Sequence, residues 1–123
     1  MKQEYFLKKA KDVSTKSDHR SHKMGCVIVK RNRIVGSSCN TLKTHPRSPN
    51  CYKSIHAEFG AVVDAGFDVK GATAYVFRQQ KNGKWAMAKP CFACRNFLIK
   101  CGIVKVIYTF EGTYEKETLN GEK

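Results

Sequence analysis

The order and patterning of the sequence predict an α/β domain: a mixed sheet of four to five strands with helices on both faces, in three layers. An amphipathic segment precedes two β-rich runs, after which strand-like and helix-like segments alternate. The β-rich runs carry apolar residues on both faces, so each face of the sheet is expected to be covered. A chain of 123 residues can form one hydrophobic core, and we expect a single domain over residues 1–123.

The first three elements follow from simple patterns. Between Gln3 and about Ser14, the side chains of Phe6, Ala10 and Val13 share one helical face while lysines occupy the other. The runs MGCVIVK and RIVGSSC are then separated only by RNR, which predicts a β-hairpin. The chain is therefore expected to begin with a helix and an antiparallel pair of strands.

The middle of the chain is expected to contain a loop, a helix and a strand. The stretch NTLKTHPRSPNCYKS has two prolines and several turn-forming residues, which predicts a long loop. IHAEFGAVVDAG is nearly apolar all round and stops at Gly66, so a short buried helix is expected there. The strand ATAYVFR follows it.

The last third of the chain is predicted in less detail. An Asn-Gly pair suits a type I′ turn, which would let Trp85 to Met87 fold back as a short extra strand. A helix is expected over Cys91–Cys101 and a strand over VKVIYTF. The tail from Glu111 is polar and shows no pattern of helix or strand, so no element is predicted there.

Composition indicates the environment and the partners. No apolar run approaches the roughly 20 residues of a membrane span, and the first residues lack the apolar core of a signal peptide. We therefore expect a soluble, cytoplasmic protein with no membrane partner and with most of its six cysteines reduced. The net charge of +13 favours anionic partners, such as nucleotides or single-stranded nucleic acid, although a solvated basic surface explains it equally well.

Two cysteines, Cys91 and Cys94, open the last predicted helix. Pro90 suits the first helical turn, where its missing N–H costs nothing, and a spacing of three places both thiols on one face. The free amides and the dipole of a helix N-terminus lower thiol pKa values and favour thiolates, which bind metal. Alone, such a pair is also compatible with a redox couple or with two core cysteines.

His56 and Glu58 open the short buried helix. Because residues two apart do not share a helical face, we expect separate roles: His56 as a third metal ligand, and Glu58 beside the metal as a proton carrier. One histidine and two cysteines leave a fourth position on Zn²⁺ for water, which is typical of catalytic zinc sites. Taken singly, His56 is equally compatible with a core or capping role, and Glu58 with a first-turn acid stabilised by the helix dipole.

The two motifs together, His-Ala-Glu and Pro-Cys-x-x-Cys, resemble the signature of the zinc-dependent cytidine and deoxycytidylate deaminases. The resemblance runs from the first β-rich run to VKVIYTF. It implies a cytidine-deaminase-like fold, Zn²⁺ held by His56, Cys91 and Cys94, and a reaction in which Glu58 transfers protons and ammonia leaves. NTLKTHP and AMAKPCFAC look most like small deoxycytidylate-deaminase-like proteins of phages and bacteria, whereas free cytidine deaminases typically carry cysteine in place of His56.

The same resemblance suggests residues that contact the substrate. Asn40 occupies the place of a substrate-binding asparagine at the end of the second strand, and Ala57 lies within His-Ala-Glu. Lys43, His45 and Arg47 in the following loop are candidates for a phosphate contact, and a solvated loop explains them as well. The resemblance also suggests a homo-oligomer.

These features predict a zinc-dependent hydrolytic deaminase that converts the cytosine of a small nucleotide to uracil, and dCMP is the favoured substrate. Two alternatives stay open: a deaminase acting on cytosine or adenosine in single-stranded DNA or RNA, and a non-catalytic zinc-stabilised module that binds nucleic acid. Glu58 argues against the second alternative, because a structural zinc site needs no carboxylate beside the metal.

Overall fold

The computed structural model describes residues 2–16, 23–40, 57–79, 84–89 and 92–119. Within these ranges the chain forms three helices and five strands. Their order is α1 (Lys2–Ser14), β1 (Lys23–Lys30), β2 (Arg33–Cys39), α2 (Ala57–Asp64), β3 (Thr73–Gln79), α3 (Phe92–Cys101), β4 (Lys105–Phe110) and β5 (Thr113–Thr118). None of the described helices is long and apolar enough to cross a membrane.

The strands form one mixed sheet in the order β2-β1-β3-β4-β5. β1 pairs antiparallel with both β2 and β3, and β5 pairs antiparallel with β4. β3 and β4 are parallel, and α3 connects them, as expected for a β-α-β crossover. The predicted mixed sheet is therefore confirmed, with five strands among the described residues.

The hairpin of β1 and β2 turns at Arg31 and Asn32, which both have positive φ values, 53° and 63°. Two consecutive left-handed residues are the requirement of a type I′ turn, whose twist matches that of the strands it joins. The hairpin predicted around RNR is confirmed.

One face of the sheet is covered by α1. We call the cluster formed there the α1-side core; its buried members are Phe6, Leu7, Ala10, Val27, Val29, Tyr75, Phe77 and Ile107. The helix lies close to β1 because Gly25 has no side chain: a Cβ at that position would collide with the carbonyl oxygen of Ala10 and the amide of Ser14. The predicted apolar face of the first helix is thus confirmed.

The opposite face is covered by α2 and α3, which gives the three layers that the sequence predicted. We call this cluster the α2-side core; it includes Cys26, Ile28, Ala57, Ala61, Val62, Ala74, Val76, Leu98, Ile103 and Val106. Gly36 allows α2 to approach β2, because a Cβ there would collide with the carbonyl oxygen of Ala61. As predicted, α2 is short and largely buried.

The extra strand expected over Trp85–Met87 is reduced to a single bridge between Gln79 and Trp85. The segment then changes partners, because the amide of Ala88 donates to the carbonyl of Thr109 on β4 at 2.9 Å. A segment that crosses from β3 to β4 cannot continue a ladder with β3. The Asn-Gly turn predicted before it lies outside the described residues.

β5 is the element that the sequence did not predict. It follows the turn at Glu111 and Gly112, whose φ values of 41° and 88° are again both positive. Most of its side chains are exposed or half-buried and polar. The strand therefore lacks the apolar alternation that marks half-buried strands in a sequence.

Candidate active site

The candidate site lies at the sheet edge where β1 begins and where β2 and β3 end. The register places Gly25 opposite Cys39 and Lys23 opposite Gln79. α2 crosses this face with its last turn over the middle of β2, since the Ser37 amide donates to an Asp64 carboxylate oxygen at 3.0 Å. Its first turn lies over the start of β1, because the Glu58 carboxylate is close enough to Cys26 for their charges to interact.

Glu58 lies in that first turn, and its side chain is buried, with 2% of its surface exposed. Burial raises the pKa of the carboxyl to about 7, and a hydrogen bond from its own backbone amide opposes the shift. A carboxyl group that titrates near neutrality can both accept and donate a proton at physiological pH, as a general acid–base catalyst must.

Cys26 on β1 lies close enough to Glu58 for their charges to interact. Burial raises the pKa of the Cys26 thiol far above its usual value, and the nearby Glu58 carboxylate raises it further. Cys26 therefore stays a neutral thiol at physiological pH. The sequence predicted buried thiols at Cys26, Cys39 and Cys101: Cys26 is buried, whereas the other two are half-buried.

Cys94 lies in the first turn of α3 and is fully buried. The two helices pack on each other through the rings of Phe59 and Phe97, whose centroids are 5.2 Å apart. Phe59 follows Glu58 directly, and Phe97 lies about one helical turn after Cys94. The contact thus holds α2 and α3 together close to both candidate groups.

Asn40 lies at the end of β2 and is buried, with 8% of its surface exposed. Its side-chain oxygen accepts a hydrogen bond from the amide of Met24 at 2.9 Å, and its own amide donates to the Met24 carbonyl at 3.1 Å. Met24 precedes Cys26 by two residues, so the start of β1 connects Asn40 with Glu58. Ala57 is buried beside Glu58.

The remaining predicted site residues lie outside the described ranges: His56, Cys91, Lys43, His45 and Arg47. Within the described ranges, no group of three metal-binding side chains forms, and two of the three proposed ligands are not among them. Of the proposed ligand set only Cys94 is described; its buried thiol at the start of α3 is the type of side chain that binds Zn²⁺ as a thiolate.

Thr109 is a residue of this region that sequence reasoning missed. It is fully buried; its hydroxyl donates to the carbonyl of Ala86 at 2.7 Å and accepts from the amide of Arg78 at 3.1 Å. These bonds fix the segment that leads into Pro90 and Cys91. The only signal in the sequence is a hydroxyl residue within the apolar run VKVIYTF.

A family model described as the cytidine and deoxycytidylate deaminase zinc-binding region matches residues 1–110. The chain belongs to this family. It is accordingly a hydrolytic deaminase, and the family and fold predicted from the two motifs are confirmed.

One relative of similar length is a deoxycytidylate deaminase of a phage. The enzyme of Mycobacterium phage D29 is 32% identical over 130 residues, which cover 88% of this chain and 94% of that protein. The riboflavin biosynthesis protein RibD of Haemophilus influenzae is 33% identical over 105 residues, covering 83% of this chain but only 25% of RibD.

Solved structures support the fold. The dCMP deaminase of cyanophage S-TIM5 in its apo form superposes with a TM-score of 0.64 at 22% identity, over 89% of this chain and 82% of that one. The same enzyme in complex with dCMP and dUMP gives a TM-score of 0.65 at 21% identity, over 86% of this chain and 79% of that one.

Proposed function

We propose that this protein is a zinc-dependent deaminase that hydrolyses dCMP to dUMP and ammonia. The observation that carries the proposal is the buried carboxyl of Glu58 in the first turn of α2, at the same end of the sheet as the buried Asn40. The substrate is supported by two relatives, the D29 deoxycytidylate deaminase and the cyanophage enzyme whose structure contains dCMP and dUMP.

His56, Cys91 and Cys94 would hold the Zn²⁺ ion, which when bound activates water for hydrolysis at neutral pH. Glu58 takes up a proton as the water oxygen bonds to the ring carbon that carries the amine. It delivers this proton to the ring nitrogen. It then takes the remaining proton of the added oxygen and delivers it to the amine, so that the carbonyl forms as the carbon–nitrogen bond breaks and ammonia leaves. Burial keeps competing water away from this carboxyl.

Asn40 and Ala57 are proposed to contact the base and sugar, since Asn40 is held in place by its two hydrogen bonds to Met24. Lys43, His45 and Arg47 are proposed to contact the phosphate. Cytoplasmic location, homo-oligomeric assembly and a single domain over residues 1–123 stay predictions from the sequence.

The test is ammonia release by zinc-loaded protein, comparing dCMP with a cytosine-containing single-stranded oligonucleotide. We expect turnover of dCMP, loss of turnover in Glu58→Gln, and unchanged turnover in the matched surface variant Glu4→Gln on α1. Turnover of the oligonucleotide alone would replace dCMP by a base in single-stranded nucleic acid, a substrate that the net charge of +13 would favour. Inactivity on both substrates with zinc bound would contradict the deaminase proposal.

Zinc binding is tested separately from turnover. Cys94→Ser should weaken zinc binding, measured by competition with a chromophoric chelator, whereas Cys101→Ser at the other end of α3 should not. Equal zinc affinity in the two variants would remove Cys94 from the proposed ligand set.

A further inference from the structure

A cavity of about 780 Å³ opens between the end of β3, the segment 84–89 and the β4–β5 turn. We call it the Trp85 cavity. Its described lining residues are Arg78, Lys84, Trp85, Ala86, Met87, Glu111 and Gly112. None of them belongs to the candidate active site, and the proposed deamination uses none of them.

Hydrogen bonds fix part of the wall of the Trp85 cavity. The Arg78 guanidinium donates to the carbonyl of Met87 at 3.3 Å, and the Arg78 amide donates to the Thr109 hydroxyl at 3.1 Å. That hydroxyl also donates to the carbonyl of Ala86 at 2.7 Å. Two lining residues, Arg78 and Ala86, are thereby tied to one buried side chain, and Met87 is tied to Arg78, so this part of the wall is formed before any ligand arrives.

Trp85 supplies a fixed aromatic surface. Its indole packs edge-to-face on the ring of Phe77 in the α1-side core, with the centroids 5.4 Å apart and the planes at 75°. The indole is half-buried, and the neighbouring Met87 is 44% exposed. A tryptophan held in this way offers a surface on which a planar base can stack at little cost in side-chain entropy.

Two cations accompany this aromatic surface. Among the described lining residues of the Trp85 cavity, Arg78 and Lys84 are cationic and Glu111 is the one carboxylate. Arginine binds phosphate through its planar fork of N–H donors, and lysine binds it as a point charge. The volume lies within the range of about 300–1,000 Å³ that is common for small-molecule sites. An aromatic wall with an excess of positive charge suits a planar base that carries a phosphate.

The Trp85 cavity lies beside the candidate active site. Arg78 pairs with Met24 across β1 and β3, and Met24 is the residue that holds Asn40. Directly opposed residues of antiparallel strands have Cα atoms about 4.5–5.5 Å apart. The two sites thus share the start of β1 but use different side chains.

We propose that the Trp85 cavity is a second binding site, for a nucleobase that carries a phosphate. The base stacks on Trp85, and the phosphate is bound by Arg78 and Lys84. Two sources offer this chemistry: a free nucleotide, or a nucleotide unit that flanks the target base in single-stranded DNA.

Trp85 is the only tryptophan in the sequence, so intrinsic fluorescence reports on the site directly. Zinc-loaded Glu58→Gln protein, in which turnover is blocked, is titrated at low salt with dCMP and separately with a short oligothymidylate. We expect saturable quenching by one of the two. Lys84→Met should weaken that binding about tenfold, and Lys11→Met, an exposed lysine on α1, should leave it unchanged.

The two titrations distinguish a free nucleotide from a nucleotide unit of a DNA strand. Quenching by dCMP, with two molecules bound per chain by calorimetry, identifies a free nucleotide as the ligand. Quenching by oligothymidylate but not by dCMP identifies a flanking unit of a strand. Absence of quenching by either probe, or equal affinity in the Lys84→Met and Lys11→Met variants, would overturn the proposal.

The result is also independent of the proposed function. If the wild-type enzyme deaminates dCMP and Trp85 does not respond, the deaminase stands and the second site fails. If Trp85 fluorescence is quenched in a Lys84-dependent manner and no substrate is deaminated, the second binding site stands and the deaminase proposal fails. A final variant, Trp85→Ala, should reduce binding about tenfold by calorimetry, since stacking on an aromatic ring is worth this much per base.

Discussion

The two faces of the sheet are built from the same strands but differ in what they bury. The α1-side core contains aliphatic and aromatic side chains, whereas the opposite face adds the thiols of Cys26 and Cys94 and the carboxyl of Glu58. β1 serves both faces, since Val27 points to α1 and its neighbour Cys26 points to α2. Adjacent residues of one strand therefore face two different cores: one of aliphatic and aromatic side chains, and one that also contains buried thiols and a carboxyl.

The largest contrast between the faces is expected from Glu58→Gln. Losing the proton carrier should reduce kcat about 10²- to 10⁴-fold, the usual contribution of general acid–base catalysis. The free energy of unfolding of the zinc-free protein should not fall, because an amide of the same shape is less costly to bury than a carboxylate. Steady-state kinetics and urea unfolding measure the two effects. A variant that was inactive because it had unfolded would contradict this assignment.

A matched pair of glycine substitutions compares the faces directly. Gly25→Ala would press on α1 and Gly36→Ala on α2, in both cases against the backbone of the helix. Each should cost about 1–3 kcal/mol of unfolding free energy, the usual effect of overpacking. Only Gly36→Ala should also lower kcat of the folded fraction, because it displaces the helix that carries Glu58. Equal loss of kcat in both variants would show that the faces are not separable.

A smaller effect tests how α3 is attached to the sheet. Both Nε and Nη2 of Arg95 bind Oε2 of Glu117 on β5, at 2.9 and 2.8 Å, and Oε1 of Glu117 is buried without a hydrogen-bond partner among the described residues. Arg95→Ala should cost about 1–2 kcal/mol of unfolding free energy, because it leaves this carboxylate unpaired. Glu117→Ala should cost less than about 1 kcal/mol, as partly exposed ion pairs contribute little.

The double variant completes this cycle. Removing both partners should cost no more than Arg95→Ala alone, since the half-buried Glu117 carboxylate is then no longer left without a partner. Additive losses in urea unfolding would instead show that Arg95 stabilises α3 through packing, independently of Glu117.

The smallest effect is expected at the far end of β1, where the Lys30 ammonium binds the Asp68 carboxylate at 2.9 Å. The hydrogen bond and the charge of Lys30 lower the pKa of the Asp68 carboxyl below its usual 3.8. Its stabilisation is therefore present above that value and is lost as the pH falls through the lower, folded-state pKa. Asp68 is exposed, so the wild type and Asp68→Asn should differ slightly at neutral pH and not at all in acid or in high salt.

Much of this architecture could be predicted from the sequence, because most of its helices and strands have recognisable patterns of apolar residues. The RNR hairpin, the apolar face of α1 and the buried α2 each follow from local spacing. β5 could not be predicted in this way, since it is stabilised by pairing with β4 and not by burial of its own side chains. The strand predicted over Trp85–Met87 was not found for a related reason. The backbone partner of this segment, Thr109, is distant in the sequence, so no local pattern indicates the pairing.

The residues of the candidate site also fall into two groups: those that local sequence patterns indicate and those that only the assembled sheet brings together. Motif spacing indicated Glu58 and Cys94 as candidates, because helical geometry relates residues that are close in the sequence. The proximity of Cys26 to Glu58 and the two hydrogen bonds that join Asn40 to Met24 depend on how strands assemble. No local spacing encodes such contacts, so their partners had to come from the structure.

The polar character of β5 has a consequence beyond its absence from the predicted elements. As the last strand of the described sheet, it presents a row of backbone groups that could recruit a strand from another molecule. Its sequence TYEKET places two exposed charged side chains, Glu115 and Lys116, in succession along that border. Charges at such a border discourage edge-to-edge aggregation. The polar sequence that makes β5 unrecognisable by its hydrophobic pattern therefore also helps the protein to stay soluble at high concentration.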